Sequence, residues 1–190
     1  INVILLFNKM DLLNVKQKLE QEKFQNIYKN IGYHCLALSV INDDLSDVKC
    51  LMKRKVNMIS GHSGVGKSTL INKLQPDLGI NTRNLSKVYR RGQHTTTSSE
   101  LYNLDFGASI IDTPGIKGFG LVEFDINEIR DYFPEFLDLK KDCKFHNCIH
   151  KEEPHCAVKN SLKRGEISAS RYNNYLKMLV EDDGFRHVNY

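Results

Sequence analysis

The sequence predicts an α/β fold with a mostly parallel sheet, followed by a small, mostly helical module. Short apolar runs alternate with segments of helical periodicity through most of the chain. A glycine-rich stretch, GHSGVGKS at residues 61–68, joins a predicted strand to a predicted helix. Beyond residue 125 the composition shifts toward Cys, His and Lys. These three observations predict two domains, residues 1–125 and 126–190.

Five short segments are predicted to be strands. The first is a continuous apolar run, as in strands that are covered on both faces. The fourth alternates in polarity, and the fifth is a buried run that ends at a DTPG motif. Because strands alternate with helices, ligands are expected at the carboxyl ends of the strands. The five segments are residues 1–7, 35–40, 56–60, 101–106 and 108–112.

Apolar residues at helical spacing predict the helices. The first helix is expected to stop at Gly32 in a left-handed cap, and the last follows Ser168, a candidate N-cap. Residues 75–98 have no clean period and are predicted to be a mobile segment. The predicted helices cover residues 15–31, 45–52, 67–74, 126–133 and 169–179.

Composition limits the function classes. The 190 residues are 41 % hydrophobic and 26 % charged, as in ordinary soluble proteins. No apolar run approaches the roughly 18–20 residues that cross a bilayer, so no membrane partner is expected. The chain opens without Met on a predicted strand, which predicts an N-terminally truncated piece of a longer protein. Its first residues also lack the features of a signal peptide.

Cysteine usage and charge distribution add two expectations. Three of the five cysteines lie close together among histidines, which favours metal binding over disulfides. Cysteines that form no disulfides indicate a reducing compartment, so the cytoplasm is expected. The net charge of +4 is small, but residues 78–99 carry four basic residues and no acid. Residues 140–177 hold nine Lys or Arg against four acids. Both basic stretches are either solvated faces or surfaces for RNA phosphates.

The glycine-rich stretch predicts a phosphate site. Gly61, Gly64 and Gly66 allow a tight turn in which backbone N–H groups and a helix N-terminus face phosphates. Lys67 adds a positive charge, and Ser68 is expected to ligate Mg²⁺.

The DTPG motif extends this prediction. Asp112 is expected to hold the ion from the opposite strand, and the Gly115 N–H to reach a γ-phosphate. A P-loop by itself leaves open an ATPase or a kinase.

An NKMD motif at residues 8–11 predicts guanine as the base. Asp11 is expected to accept hydrogen bonds from the N1 and N2 donors of guanine, a pair that adenine lacks. Asn8 would brace the loop, the methylenes of Lys9 would cover the base, and Ser39 would lie at the backbone contact to the guanine oxygen. Since this motif usually comes last in GTPases, the order here predicts a circular permutation.

The predicted mobile segment contains a run of threonines, Thr95 to Thr97. Thr96 is the expected second ligand to Mg²⁺, judged by its distance to the next strand, although a plain polar loop is the alternative. His94 would orient the attacking water or be an inert loop residue. Ile116 stands where many GTPases have a water-positioning glutamine, which predicts slow unaided hydrolysis and a partner that completes the site.

A C-x4-C-x-H-x5-C pattern predicts a closed, structural zinc site. His146 and His155 are rival histidine ligands, and reduced cysteines in an apolar core are the alternative. Cys35 and Cys50 are expected to be ordinary core residues. The predicted ligands are Cys143, Cys148, His150 and Cys156.

The permuted motifs, GQHTTT at residues 92–97 and the Cys3His pattern together resemble the ribosome small subunit-dependent GTPase A family of bacteria over essentially the whole chain. The resemblance implies a monomeric cytoplasmic factor that acts late in maturation of the small (30S) ribosomal subunit. It would bind the subunit and its rRNA in the GTP state and leave after subunit-stimulated hydrolysis, with GTP or GDP, Mg²⁺ and one Zn²⁺ as cofactors.

By the same resemblance, all of residues 61–69 contact phosphates or magnesium, which adds Ser63, Val65 and Thr69 to the predicted site. Family members usually carry an upstream OB-fold and a further strand and helix of the GTPase half, and neither is in this sequence. A second function class stays open, namely a zinc-stabilised RNA-binding module with little or no nucleotide turnover.

Overall fold

The computed structural model describes residues 1–78, 100–112 and 125–180, which form two compact units. The N-terminal unit contains the described residues up to Asp112 except Asn26–Tyr33. The C-terminal unit contains Asn26–Tyr33 and the described residues from Asp125 onward. The assignment of residues 1–125 and 126–190 to separate domains stays a prediction.

The first two strands form a parallel pair. Strand β1 (Ile4–Phe7) pairs with β2 (His34–Ala37), and helix α1 (Val15–Asn30) connects them. Both strands are shorter than predicted, because residues 1–3 lie outside β1 and residues 38–40 turn into a loop. The expected cap of α1 is confirmed: Gly32 has φ 96°, its N–H donates to Lys29, and the next N–H, of Tyr33, donates to Tyr28.

A second sheet holds the remaining strands, β3 (Val56–Met58), β4 (Glu100–Leu104) and β5 (Ala108–Asp112), in the order β3-β5-β4. β3 and β5 are parallel, whereas β4 and β5 are antiparallel. A short turn with Gly107 at φ 80° joins β4 to β5, and so short a connection allows only an antiparallel pair. The described strands thus form two hydrogen-bonded sheets, and two of their three strand pairs are parallel, which agrees with the prediction of a mostly parallel arrangement.

Helices α2 (Ser46–Met52) and α3 (Lys67–Leu74) lie where the periodicity predicts them. They share one apolar core with residues of both sheets and of the loop after β2. Cys35 is buried as expected, but the prediction for Cys50 is wrong, because this side chain is exposed on α2. The most buried members of the core are Val40, Ile110, Leu45 and Leu74.

The C-terminal unit is helical, as predicted, but more broken. The expected helix at 126–133 is the single turn α4 (Ile126–Ile129) followed by a 3-10 turn, because Pro134 has no N–H and instead begins α5 (Pro134–Leu137). Helix α6 (Ala157–Lys163) was not predicted, and α7 (Ala169–Val180) was. No helix among the described residues is long and apolar enough to span a membrane.

An aromatic core holds this unit together. Phe136 stacks on Phe133 at 5.1 Å between ring centroids and meets Tyr175 edge-on at 5.0 Å. Beside these rings, Arg171 forms a two-point ion pair with Glu135, with bonds of 2.7 and 3.1 Å. Both partners of the pair are largely buried. The ion pair therefore connects α7 to α5 in a region of little water.

Candidate nucleotide site and metal centre

The loop between β3 and α3 has the backbone of a phosphate-binding loop. Gly64 and Gly66 have φ angles of 80° and 106°, in the left-handed region that favours glycine. A Cβ at Gly66 would lie 2.4 Å from Asn8 Nδ2, so a side chain at this position would displace the Asn8 amide. Within the described residues, the N–H groups of Ser63, Gly64 and Gly66 have no acceptor, whereas that of Val65 donates to the loop itself. Free N–H groups at the start of a helix are suited to anions.

The charged and hydroxyl groups of the motif lie beside these N–H groups. Lys67 Nζ donates to the carbonyl of His62 at 2.8 Å and also to that of Gly61. Ser68 is buried in the first turn of α3, and Thr69 is half-buried next to it. The ammonium group is thus held across the loop and can exchange its carbonyl partners for phosphate oxygens.

The NKMD loop is attached directly to the phosphate loop through Asn8. Its Nδ2 donates to the Val65 carbonyl at 2.9 Å, across 57 residues of sequence. Its Oδ1 accepts from the N–H of Lys9 at 2.7 Å and from that of Val40 at 2.9 Å. One amide therefore joins three segments, as expected for the brace of a base-binding loop.

Lys9 and Asp11 complete this loop. Lys9 has a left-handed backbone with φ 67°, and its Nζ donates to the Gly64 carbonyl at 2.6 Å. Asp11 lies in the 3-10 turn Met10–Leu12, where its side chain is exposed. Its carboxylate accepts no hydrogen bond from any described residue. It is therefore available to the donors of a base.

The loop after β2 holds a backbone donor that sequence reasoning missed. The Ser39 N–H donates to Asp43 Oδ2 at 2.7 Å, and the Val40 N–H is taken by Asn8. The next amide, that of Ile41, has no acceptor in the described part of the chain. Ser39 itself is buried and holds the loop closed. No sequence motif shows which of these three adjacent amides lacks an acceptor, because the amides differ only in their hydrogen-bond partners.

Strand β5 brings Asp112, the first residue of the DTPG motif, to the same edge. β5 runs parallel to β3 with Met58 opposite Ile111, so Asp112 ends its strand beside the one that leads into the phosphate loop. The side chain of Asp112 is not described. Four further predicted site residues, His94, Thr96, Gly115 and Ile116, also lie outside the described residues.

The structure brings the four predicted metal ligands together. Their ligand atoms, three Sγ and one imidazole nitrogen, all lie within 4.8 Å of one another. His150 Nδ1 lies 3.4 Å from Cys156 Sγ and 3.7 Å from Cys143 Sγ. A tetrahedral zinc ion with bonds of about 2.0 and 2.3 Å would separate such a nitrogen and sulfur by about 3.5 Å. The cluster, which includes neither His146 nor His155, therefore fits one zinc ion.

Burial sets the protonation of this cluster. It raises the pKa of Cys148 to about 12 and also raises that of Cys156. Burial, followed by the Arg130 cation, lowers the pKa of His150 to about 4. Without an ion these three groups are neutral near pH 7. A zinc ion binds thiolates, so we expect metal binding to release protons.

Three side chains hold three successive carbonyls of the metal-binding loop. Arg130 Nη1 donates to the Cys148 carbonyl at 2.6 Å. The Tyr175 and Tyr172 hydroxyls donate to the carbonyls of residues 149 and 150 at 2.5 and 2.6 Å. Glu153 supports the same loop from the other side, because its carboxylate accepts three backbone N–H bonds of 2.6 to 3.0 Å. These backbone contacts fix the position of His150, whose Nε2 is buried without a partner among the described residues.

The permuted order of the motifs on an α/β core, with a Cys3His cluster downstream, defines the class as P-loop GTPase domains with circularly permuted motifs. Within this class, the chain belongs to the RsgA GTPase family, whose model matches residues 1–122.

Relatives and solved structures agree with this assignment. The chain is 54 % identical over 184 residues to the Small ribosomal subunit biogenesis GTPase RsgA of Flavobacterium psychrophilum, covering 96 % of this chain and 56 % of the relative. It is 50 % identical to the protein of the same name from Christiangramia forsetii, covering all of this chain and 61 % of the relative. This chain thus spans little more than half the length of these relatives.

Two solved structures have the same fold. YjeQ from Thermotoga maritima superposes with a TM-score of 0.81 at 33 % identity, covering 97 % of this chain and 61 % of that one. YloQ, described as a circularly permuted GTPase, superposes with a TM-score of 0.77 at 30 % identity, covering 98 % of this chain and 58 % of that one.

Proposed function

We propose that the protein binds and hydrolyses GTP and acts in late maturation of the small ribosomal subunit, which stimulates the hydrolysis. The observation that carries the nucleotide part is the attachment of the NKMD loop to the phosphate loop through Asn8 and Lys9. This attachment supports one shared site for the Asp11 carboxylate and the phosphate-binding loop. The names of the two relatives support the ribosomal part.

In this proposal, the base is held from two loops. The Asp11 carboxylate accepts from the N1 and N2 donors of guanine, and the Ile41 N–H donates to the guanine oxygen; neither group has a partner among the residues that the structure describes. Adenine presents neither pattern, so it would leave these polar groups without partners. Leaving a buried polar group unpaired can cost several powers of ten in affinity.

The phosphates would be held by the loop of residues 61–69. Its free N–H groups bind phosphate oxygens, and Lys67 moves from the two carbonyls to the β- and γ-phosphates. Ser68, Thr96 and Asp112 are the residues that would hold Mg²⁺, which would neutralise charge on the triphosphate when bound. His94 would orient the attacking water and the Gly115 N–H would contact the γ-phosphate.

The partner would be the small subunit and its rRNA. Exposed lysines of the C-terminal unit, which include Lys141, Lys144 and Lys163, supply positive charge for RNA phosphates. Binding through phosphate contacts should weaken steeply with salt. We propose that the protein acts in the cytoplasm and as a monomer.

The decisive test measures phosphate release from GTP by the full-length protein, with and without purified small subunits. We expect a slow basal rate that rises at least about tenfold with subunits, since Ile116 cannot position water and a partner must do so. Large subunits at the same concentration are the matched control. A rate that does not respond to small subunits would instead favour an RNA-binding module with little turnover.

A second test addresses the base. Asp11→Asn should lower the affinity for GDP by about a hundredfold, because the amide group presents a donor to guanine where the carboxylate accepted. Asp47→Asn, which changes the same group on α2 of the same unit, should leave it within twofold. Equal affinities of the unaltered protein for GDP and ADP would contradict the proposed nucleotide specificity.

A further inference from the structure

We propose that Lys73 is a positioning residue of the base site, which holds the loop of residues 39–43 against the helix that follows the phosphate loop. Lys73 lies in the last turn of α3, outside the phosphate motif. The inference rests on the proposed function, because it concerns how the guanine-binding loop is kept in place.

The Lys73 ammonium group contacts this loop at two points. Its Nζ donates to the carbonyls of Ile41 and Asp43, with both bonds at 2.8 Å. These partners lie 32 and 30 residues away in the sequence, so the contact is a tertiary one. Hydrogen bonds from a charged donor are stronger than neutral ones. One side chain therefore restrains two carbonyls at the exposed end of this loop.

The other end of the same loop is held by Asn8. Its Oδ1 accepts from the Val40 N–H, and its Nδ2 donates to the Val65 carbonyl in the phosphate loop. Helix α3 starts at Lys67, two residues after Val65, and carries Lys73. The contacts thus close a ring that runs from the phosphate loop along α3 to Lys73, across the loop of residues 39–43 to Asn8, and back.

The ring encloses the backbone donor proposed for guanine. Ile41 has an N–H without an acceptor among the described residues and a carbonyl held by Lys73, so the lysine limits rotation of the backbone at this residue. Without Lys73, the loop would be attached through Val40 and its own internal bonds. It would then sample more conformations in the free protein, and ordering it on binding would cost affinity. The loss of affinity should therefore affect binding of the base and not binding of the phosphates.

The test compares affinities for a whole nucleotide and for its phosphate part. In the full-length, zinc-loaded protein, Lys73→Met should lower the affinity for GDP by about tenfold, a typical loss for hydrogen bonds to a charged group. The affinity for inorganic pyrophosphate should stay within twofold. Lys73→Arg retains the charge and two donors, so it should recover most of the GDP affinity.

Lys55→Met is the matched control. Lys55 is also an exposed lysine whose Nζ donates to a backbone carbonyl, that of Leu51, at 2.8 Å, but this carbonyl belongs to α2. Its substitution should leave both affinities within twofold, and thermal unfolding of each variant checks that the fold is retained. Isothermal titration gives all of these affinities.

Two results would overturn the inference. The first is a Lys73→Met variant with the GDP affinity of the Lys55→Met control, while the unaltered protein still prefers GDP to ADP; the proposed function then stands and the role of Lys73 does not. The second is an equal loss of affinity for GDP and pyrophosphate, which would assign Lys73 to the phosphate site. Absence of any guanine preference in the unaltered protein would reject the proposed function itself.

Discussion

The nucleotide site and the metal centre are built in opposite ways. Asn8 and Val65 meet across 57 residues, and most groups of the nucleotide site are exposed. The metal ligands all lie within residues 143–156, and Cys148, His150 and Cys156 are almost fully buried. The first site is assembled by side chains that bind the backbone of distant loops, whereas the second depends on burial and on side chains that hold one loop. We therefore expect substitutions in the metal centre to alter stability, and those in the nucleotide site to alter affinity.

The largest effect should come from removal of a metal ligand. Cys156→Ser removes a thiolate, and structural zinc can contribute on the order of 10 kcal/mol to folding. We expect loss of bound zinc and of the near-ultraviolet circular dichroism of the aromatic core. Cys50→Ser, at an exposed cysteine outside the cluster, should change neither. A Cys156→Ser protein that keeps one zinc per chain would show that the cluster is not the metal site.

The next largest effect should come from the buried ion pair. Glu135→Gln leaves the largely buried guanidinium group of Arg171 without its counter-charge, and breaking such a pair typically costs about 3–5 kcal/mol. Urea denaturation measures the change in the free energy of unfolding. The pair Arg164 and Glu166 is exposed, so Glu166→Gln is the control and should have little effect.

A double variant separates the charge effect from packing. Glu135→Gln with Arg171→Met removes both charges, and it should be more stable than the single Glu135→Gln protein. Additive losses in the double variant would mean that the two residues act independently. The stability of this unit would then rest on its aromatic packing, without a contribution from the pair.

The smallest effect should come from the hydroxyl groups that hold the metal-binding loop. Tyr172→Phe leaves the ring in place but removes the donor to the His150 carbonyl. Because the carbonyl oxygen of His150 then stays buried without this partner, the free energy of unfolding should fall by about 1–3 kcal/mol. The zinc ion should also be lost faster to a chelator, since the loop that carries His150 is less restrained. Identical chelation rates would contradict a role of Tyr172 in the metal centre.

Sequence patterns were sufficient for elements with strong local signals. The glycine loop with α3, the cap at Gly32 and the cluster of metal-ligand residues each depend on a few neighbouring residues, and the structure has them where the sequence predicts them. Local signals failed where elements are short. Helix α5 has four residues, too few for a helical period to be recognised, whereas α6 was missed although it is as long as α2.

Other differences have tertiary causes. The strands β2 and β3 end before the apolar runs that predicted them. The last residues of the first run belong to the loop that Asn8 binds, and those of the second run lead into the phosphate loop. Cys50 was expected in the core because it lies in an apolar segment, but helix geometry turns it outward on α2.

The sequence by itself determined the proposed chemistry of both sites, because the NKMD motif, the glycine-rich loop and the three cysteines with a histidine are defined by residue type and spacing. It also determined the permuted order, which is a property of the chain alone. Only the tertiary structure decided which amide stays free for the base, how Asn8 joins two distant loops, and that Lys73 closes the ring. These features depend on hydrogen bonds between residues that are far apart in the sequence, and no local pattern encodes such partners.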